Sequence, residues 1–186
     1  YFLTFFLIFV LFAGMYELFS VFRKRKNILF LGSVLILSLF SIYYLRNDHY
    51  YSQILLYWVI ILCIFSDIGG YVFGKIFKWK KLTKISPKKT ISGVFGSFFF
   101  SLIGLIIFSE IFYPGWNVSI KYFLITIFFS MVAQTGDLTI SYFKRLEKIK
   151  DTGKILPGHG GIFDRIDGLM FIVILAFILY QFKIIP

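Results

Sequence analysis

The sequence is poor in the residues that build disulfides and soft-metal sites. It has one cysteine, Cys63, and two histidines among 186 residues. A single cysteine excludes an intrachain disulfide and a Cys-x-x-Cys metal site. His49 and His159 lie far apart in the sequence, and His159 stands between glycines, so convergent zinc ligands are not indicated. Because neither a phosphate-binding loop nor a GxGxxG motif is present, a nucleotide-binding fold of the soluble type is not indicated either.

Charged residues are also scarce, and their signs are unbalanced. Asp, Glu, Lys and Arg make up 16% of the chain against 59% hydrophobic residues, and the mean hydropathy is +0.84. This composition is typical of polytopic membrane proteins and excludes an ordinary soluble domain. The formal net charge is nevertheless +11. In so apolar a chain, that charge favours a membrane and an anionic ligand and argues against nucleic acid as a partner.

Six apolar stretches are long enough to cross a bilayer as helices, which takes about 20 residues each. They cover residues 1–22, 28–45, 52–76, 91–113, 119–143 and 168–185. Long apolar runs indicate helices, since barrel strands alternate in polarity. We therefore predict an all-α polytopic membrane protein with about six transmembrane helices, forming a single domain over residues 1–186. Because the chain starts at Tyr1 and not at Met, we expect N-terminal truncation, with membrane segments missing upstream.

The basic residues lie mainly on one side of these predicted helices. Loops at about 23–27, 77–90 and 144–167, with their flanks, carry seventeen Lys and Arg, and the opposite side carries three. Positively charged loops face the cytoplasm in membrane proteins. We therefore predict that these three loops are cytoplasmic.

Four aspartates are candidates for a functional site near that face. Asp67 and Asp137 each lie in an apolar helix, about 10–12 Å inside its cytoplasmic end, and carboxylates at that depth are functional candidates. They predict a shared polar cavity. Asp164 and Asp167, three residues apart, share a face at the start of the sixth helix. All-oxygen ligands favour Mg²⁺.

Plainer roles are open for the same acids. Asp164 and Asp167 could be capping acids in the first turn of a helix. Asp67 and Asp137 could be structural partners of buried lysines. Glu17 could line the cavity or pair with the basic run at 23–26.

A possible anion site precedes the fourth helix, in the segment Ile85-Ser86-Pro87-Lys88-Lys89-Thr90. Hydroxyls, backbone amides at a helix start and two lysines suit a phosphate, although a basic membrane anchor would have similar residues. Carboxylates for Mg²⁺ beside cations for polyphosphate indicate a Mg²⁺-dependent phosphoryl or nucleotidyl transferase. Its position in the membrane favours a lipid phosphate or a lipid alcohol as acceptor.

One segment carries a specific resemblance. Residues 141–167, SYFKRLEKIKDTGKILPGHGGIFDRID, resemble the signature of the phosphatidate cytidylyltransferase family, also called CDP-diglyceride synthetases. The matching positions are Ser141, Lys144, Arg145, Lys150, Asp151, Gly153, Leu156, Pro157, His159, Gly160, Gly161, Asp164, Arg165 and Asp167. Three shorter pieces agree with it: residues 66–71, residues 86–90, and Gly136 with Asp137. The resemblance covers roughly Glu17 to the C-terminus.

The resemblance implies transfer of CMP from CTP to phosphatidate, giving CDP-diacylglycerol and pyrophosphate in phospholipid biosynthesis. It implies Mg²⁺ held by Asp137, Asp164 and Asp167, with a second cation such as K⁺ beside it, and a homodimer. The size of the chain and the lack of targeting features lead us to expect a bacterial inner membrane, with the site facing the cytoplasm. Lys144 and Arg145 would join the three aspartates as catalytic residues. The remaining implied substrate-binding residues are Asp67, Ser86, Lys88, Lys89, Thr90, Lys150, Asp151, His159, Gly160, Gly161 and Arg165.

The segment after Thr90 departs from the family pattern, and other functions are open. Ile91-Ser92-Gly93 stands where the family often has Trp-Glu-Gly, so a common carboxylate is absent. Alternatives of related chemistry are a CTP-dependent polyprenol or lipid kinase and a CDP-archaeol-type synthase. A different class is an ion or metabolite carrier, but we see none of the internal repeats that carriers commonly have. An inactive scaffold is a further alternative.

Overall fold

A computed structural model describes residues 1–114, 118–153 and 160–185, and these residues form six α-helices and no strand. The helices are α1 (Phe2–Val21), α2 (Arg25–Asn47), α3 (Tyr50–Phe77), α4 (Ile91–Phe112), α5 (Ile120–Leu146) and α6 (Phe163–Gln181). Five of them, α1 to α5, are long and apolar enough to cross a membrane. The prediction of an all-α polytopic membrane protein is therefore confirmed.

The last helix differs from the others because its first turns are charged. Asp164, Arg165 and Asp167 all lie within its first five residues, in a helix of 19 residues. The apolar part that follows is therefore shorter than in α1 to α5. The charged residues of α6 lie at the same end of the bundle as the last turn of α5.

The predicted loop at 144–167 is too long, since the segment between α5 and α6 comprises residues 147–162. Lys144 and Arg145 belong to the last turn of α5, where cations are favoured by the helix dipole. Asp164 and Asp167 belong to α6, which begins five residues before the predicted stretch at 168–185. The apolar pattern did not indicate the end of α5 or the beginning of α6, because both helices continue into charged residues that are stabilised by polar partners.

The α3–α4 connection is a short hairpin that we call the basic hairpin, residues 78–90. Its two arms pair through Leu82 N to Lys89 O at 2.8 Å, and Ile91 N at the start of α4 donates to Lys80 O at 3.0 Å. At its tip Lys89 N donates to Ser86 O at 3.0 Å, closing a turn with Pro87 in the second position. Proline favours that position because its φ is already suited to the turn. The hairpin thereby holds Lys88 and Lys89 just before the first residue of α4.

Candidate functional site

A polar cavity of about 300 Å³ lies between α3, α4, α5 and the basic hairpin. Six residues that the sequence analysis selected line it together: Asp67, Ser86, Lys88, Lys89, Thr90 and Asp137. The shared cavity predicted for Asp67 and Asp137 is therefore present. Gln134, which the sequence analysis did not select, also lines it. Its position three residues before Asp137 on α5 was a usable signal, because residues three apart share a helix face.

The wall formed by α3 and α4 depends on glycines that allow the two backbones to touch. A Cβ at Gly69 would overlap the carbonyl of Gly96, and a Cβ at Gly96 would overlap the carbonyl of Gly69. Ser97 Oγ donates across the same interface to Ser66 O at 2.8 Å. Small residues with interhelical hydrogen bonds are typical of close helix packing in membranes. This packing fixes the start of α4, and with it the basic hairpin, against α3.

An ion pair joins the basic hairpin to α5. Lys89 Nζ lies 2.5 Å from Asp137 Oδ2, and the two side chains are 25% and 30% exposed. The same Nζ donates to the backbone carbonyl of Gln134 at 3.4 Å. Asp137 is thus a structural partner of a lysine, one of the alternatives that the sequence left open. The pair also places a cation and a carboxylate side by side in the cavity wall.

Asp137 also contacts an acid of the neighbouring helix. Its carboxyl group lies close to that of Asp167 on α6. The helices approach closely here, since a Cβ at Gly168 would lie 3.0 Å from the carbonyl oxygen of Ala133. Two carboxylates in contact repel unless a proton or a cation lies with them. The contact between Asp137 and Asp167 therefore fits a bound cation.

Asp164, on the first turn of α6, is held by donors on all sides. Its Oδ1 accepts from Lys144 Nζ at 2.7 Å, and the two side chains are only 8% and 9% exposed. Its Oδ2 accepts from Thr152 N at 2.8 Å, Thr152 Oγ1 at 3.2 Å and Gly161 N at 3.0 Å. Gly160 has φ +84, a left-handed conformation that glycine adopts without strain. Asp164 thus accepts from Lys144 and from two backbone amides that precede α6.

The described residues allow a test of whether these acids suit a metal. Among them, no group of three or more His, Cys, Asp or Glu converges as a metal site. Asp137 and Asp167 make contact and offer only oxygen ligands, which suits Mg²⁺ with water and phosphate completing its coordination. Asp164 already accepts four hydrogen bonds, and its role as the third ligand stays a prediction. The two-carboxylate part of the predicted metal site fits.

Glu17 takes neither of the two roles considered for it. It is 1% exposed and accepts from Thr152 Oγ1 at 3.1 Å, Ile162 N at 2.7 Å and Phe163 N at 3.2 Å. These donors belong to the α5–α6 segment and the first residue of α6, and not to the cavity wall or the basic run at 23–26. The contacts span more than 130 residues of sequence, so no local pattern could have indicated them.

The other selected residues lie around the α5–α6 segment. Arg145 donates to the backbone carbonyls of Ile85 at 3.2 Å and Ile149 at 2.8 Å, and so connects the basic hairpin to the end of α5. Lys150 and Asp151 are exposed, as is Arg165 on α6. His159 lies outside the described residues, as do Lys154 and the Leu156-Pro157 part of the signature.

These features define an integral membrane protein with a polar site at one end of a helical bundle. The site combines paired carboxylates with lysines from two separate elements. A model of the cytidylyltransferase family matches residues 1–183. The chain therefore belongs to that family, as its signature segment indicated.

Curated relatives share the name phosphatidate cytidylyltransferase. The protein of Staphylococcus haemolyticus (strain JCSC1435) is 46% identical over 116 residues, and that of Staphylococcus aureus (strain COL) is 44% identical over 116 residues. That of Staphylococcus epidermidis (strain ATCC 12228 / FDA PCI 1200) is 44% identical over 115 residues. Each match covers 61% of this chain and 44% of the relative, so the matched part spans less than half the length of these proteins.

Proposed function

We propose that the chain carries the site of a phosphatidate cytidylyltransferase, which transfers CMP from CTP to phosphatidate. A phosphate oxygen of phosphatidate attacks the α-phosphorus of CTP. The bond from that phosphorus to the oxygen that bridges to the β-phosphorus breaks, and pyrophosphate leaves with the bond's electron pair. Because the attacking phosphate is already anionic, the step needs no strong general base. The signature segment and the named relatives support this proposal.

The observation that carries the proposal is the pairing of cations and carboxylates around one cavity. Lys88 and Lys89, on the tip of the basic hairpin, suit the phosphates of CTP because ammonium groups form charge-assisted bonds to phosphate oxygens. Asp137 and Asp167 would hold Mg²⁺, with a second cation such as K⁺ beside it. When bound, Mg²⁺ neutralises charge on the reacting phosphates. Lys144, fixed by Asp164, suits the phosphate of the lipid headgroup.

The finer setting of the reaction belongs to the same proposal. We infer that the protein lies in a bacterial inner membrane as a homodimer, with the cavity facing the cytoplasm. The distribution of Lys and Arg among the loops supports this orientation, and the staphylococcal relatives support a bacterial source. In this orientation CTP reaches the cavity from the cytoplasm while phosphatidate remains in the bilayer.

The test is a labelling experiment with purified protein, phosphatidate and Mg²⁺. CTP labelled at the α-phosphate should yield labelled CDP-diacylglycerol, and CTP labelled at the γ-phosphate should leave the lipid unlabelled. Asp137→Asn should abolish the product. The matched control is Glu110→Gln near the other end of α4, which should retain it. γ-Label in a lipid would instead indicate a CTP-dependent kinase, and absence of both labels from lipid would refute the proposal.

A further inference from the structure

Glu17 is a buried acid of α1 whose partners all lie in the segment between α5 and α6 or at its end. The described ion pairs do not include it. Its Oε1 accepts from the amide of Ile162 at 2.7 Å, and its Oε2 accepts from the amide of Phe163 at 3.2 Å. These amides belong to the beginning of α6, where backbone N–H groups lack helical partners and favour an anion. The carboxylate on α1 therefore caps another helix.

The third donor to Glu17 connects it to the aspartate of the site. Thr152 is fully buried, and its hydroxyl lies 3.1 Å from Glu17 Oε2 and 3.2 Å from Asp164 Oδ2. The backbone amide of Thr152 also donates to Asp164, which in turn bonds Lys144. Glu17, Thr152, Asp164 and Lys144 thus form one continuous polar chain from α1 to α5. Glu17 contacts Thr152 and Ile162 of the α5–α6 segment and lies at the far end of that chain from Lys144.

Two glycines of the signature leave the space that Glu17 fills. A Cβ at Gly161 would lie 2.6 Å from Glu17 Oε2 and would overlap the hydroxyl of Thr152. A Cβ at Gly153 would lie 2.8 Å from Glu17 Oε1. Side chains at either position would therefore push the carboxylate away from its donors. Glycine at 153 and 161 is explained by the presence of Glu17, although α1 is more than 130 residues away in sequence.

We propose that Glu17 is a positioning residue for the cytidylyltransferase site. Its carboxylate holds Thr152 and the start of α6 together and, through Thr152, orients Asp164 and Lys144. Glu17 touches no substrate in this proposal. Its effect on turnover rests on the proposed function, whereas its effect on the order of the segment does not.

The test combines two single variants with their double variant. Glu17→Gln keeps the size of the side chain but turns an NH₂ group toward N–H or O–H donors, and Thr152→Val removes only the hydroxyl link. Each should lower kcat/KM by about 10- to 100-fold, the usual cost of losing a partner that orients a ligand. The kcat/KM of the double variant should be nearly the same as that of the more impaired single variant, because both substitutions remove the same link. Thr152→Ser, which restores the hydroxyl, should remain close to wild type.

Amide hydrogen exchange provides a readout that does not depend on activity. In Glu17→Gln, the peptide covering residues 160–166 should exchange faster, while peptides from α4 should keep the protection of the wild type. Unchanged exchange at 160–166, additive effects in the double variant, or equal loss of protection in α4 would each overturn the positioning role. A wild-type protein without turnover would refute the proposed function alone, and exchange would still decide whether Glu17 stabilises the start of α6.

Discussion

Two aspartate–lysine pairs occupy the site, and they differ in how deeply they are buried. The side chains of Lys89 and Asp137 are 25% and 30% exposed, whereas those of Lys144 and Asp164 are 9% and 8% exposed. A partly exposed pair costs little to separate, because water solvates both partners. A buried pair resists separation, because it would leave an unpaired charge in an apolar environment. Lys89 can therefore exchange Asp137 for a phosphate, while Lys144 remains bonded to Asp164.

The exchange at Lys89 predicts a specific effect on metal binding. Lys89→Met should weaken CTP binding, because it removes a cation from the cavity. It should also strengthen binding of Mn²⁺ alone, since the metal no longer competes with the ammonium group for Asp137. We expect a gain of about tenfold, which corresponds to about 1.4 kcal/mol, measured by paramagnetic resonance of free Mn²⁺ during titration of the protein without nucleotide.

Lys88→Met is the matched control for this experiment. Lys88 lines the same cavity, and the described ion pairs do not include it. This variant should lose CTP affinity without gaining Mn²⁺ affinity. An equal gain in both variants would mean that general positive charge, and not the pair with Asp137, opposes the metal.

Asp164 and Asp167 should respond oppositely to loss of charge, although they lie on one helix. Asp164→Asn leaves the ammonium group of Lys144 buried without its carboxylate, which should lower the free energy of unfolding by about 3–5 kcal/mol. Asp167→Asn removes the charge that repels the Asp137 carboxylate when both acids are ionised, and should therefore raise thermal stability at alkaline pH. The measurement is thermal unfolding in detergent with chelator present. Equal destabilisation by both variants would contradict a repulsive contact in the metal-free protein.

At the scale of helices, the contact of α3 with α4 is the structural basis of the cavity wall. Gly69→Ala would place a methyl group against the backbone of Gly96 and should destabilise the protein by about 1–3 kcal/mol. It should also weaken CTP binding, because the basic hairpin moves with α4. Gly32→Ala is the control, since the nearest atom to its Cβ would lie at an ordinary 3.7 Å. Thermal unfolding and the KM for CTP distinguish the two variants.

Helices and the shared cavity could be predicted from the sequence because both depend on local spacing. Apolar runs mark the helices, and the distance of Asp67 and Asp137 from the ends of their runs gave them a common depth. The beginning of α6 could not be predicted in this way. Two of its amides, those of Ile162 and Phe163, bond Glu17, which lies on α1 and is near them only in the folded protein. The hydrogen bonds that surround Asp164 could not be predicted from the sequence either, because their donors reach Asp164 only in the folded protein.

At the scale of the whole molecule, polar contacts connect parts of the chain that are far apart in sequence. Glu17 on α1, the basic hairpin and the last turn of α5 all meet near the start of α6. Below this polar end, the helices pack through apolar clusters, one of which joins α1, α2, α5 and α6. Apolar packing therefore joins the helices along the bundle, and the polar end contains the candidate site.

This arrangement predicts that the polar end faces the cytoplasm. Lys84→Cys on the basic hairpin and Asn47→Cys at the end of α2 place single exposed thiols at opposite ends of the bundle, and Cys63 is buried enough to give a low background. In intact bacterial cells or spheroplasts, a maleimide that cannot cross the membrane should label Asn47→Cys only. Lys84→Cys should be labelled after permeabilisation. Labelling of Lys84→Cys in intact cells would place the cavity on the outer face, away from cellular CTP, and would contradict both the orientation and the proposed reaction.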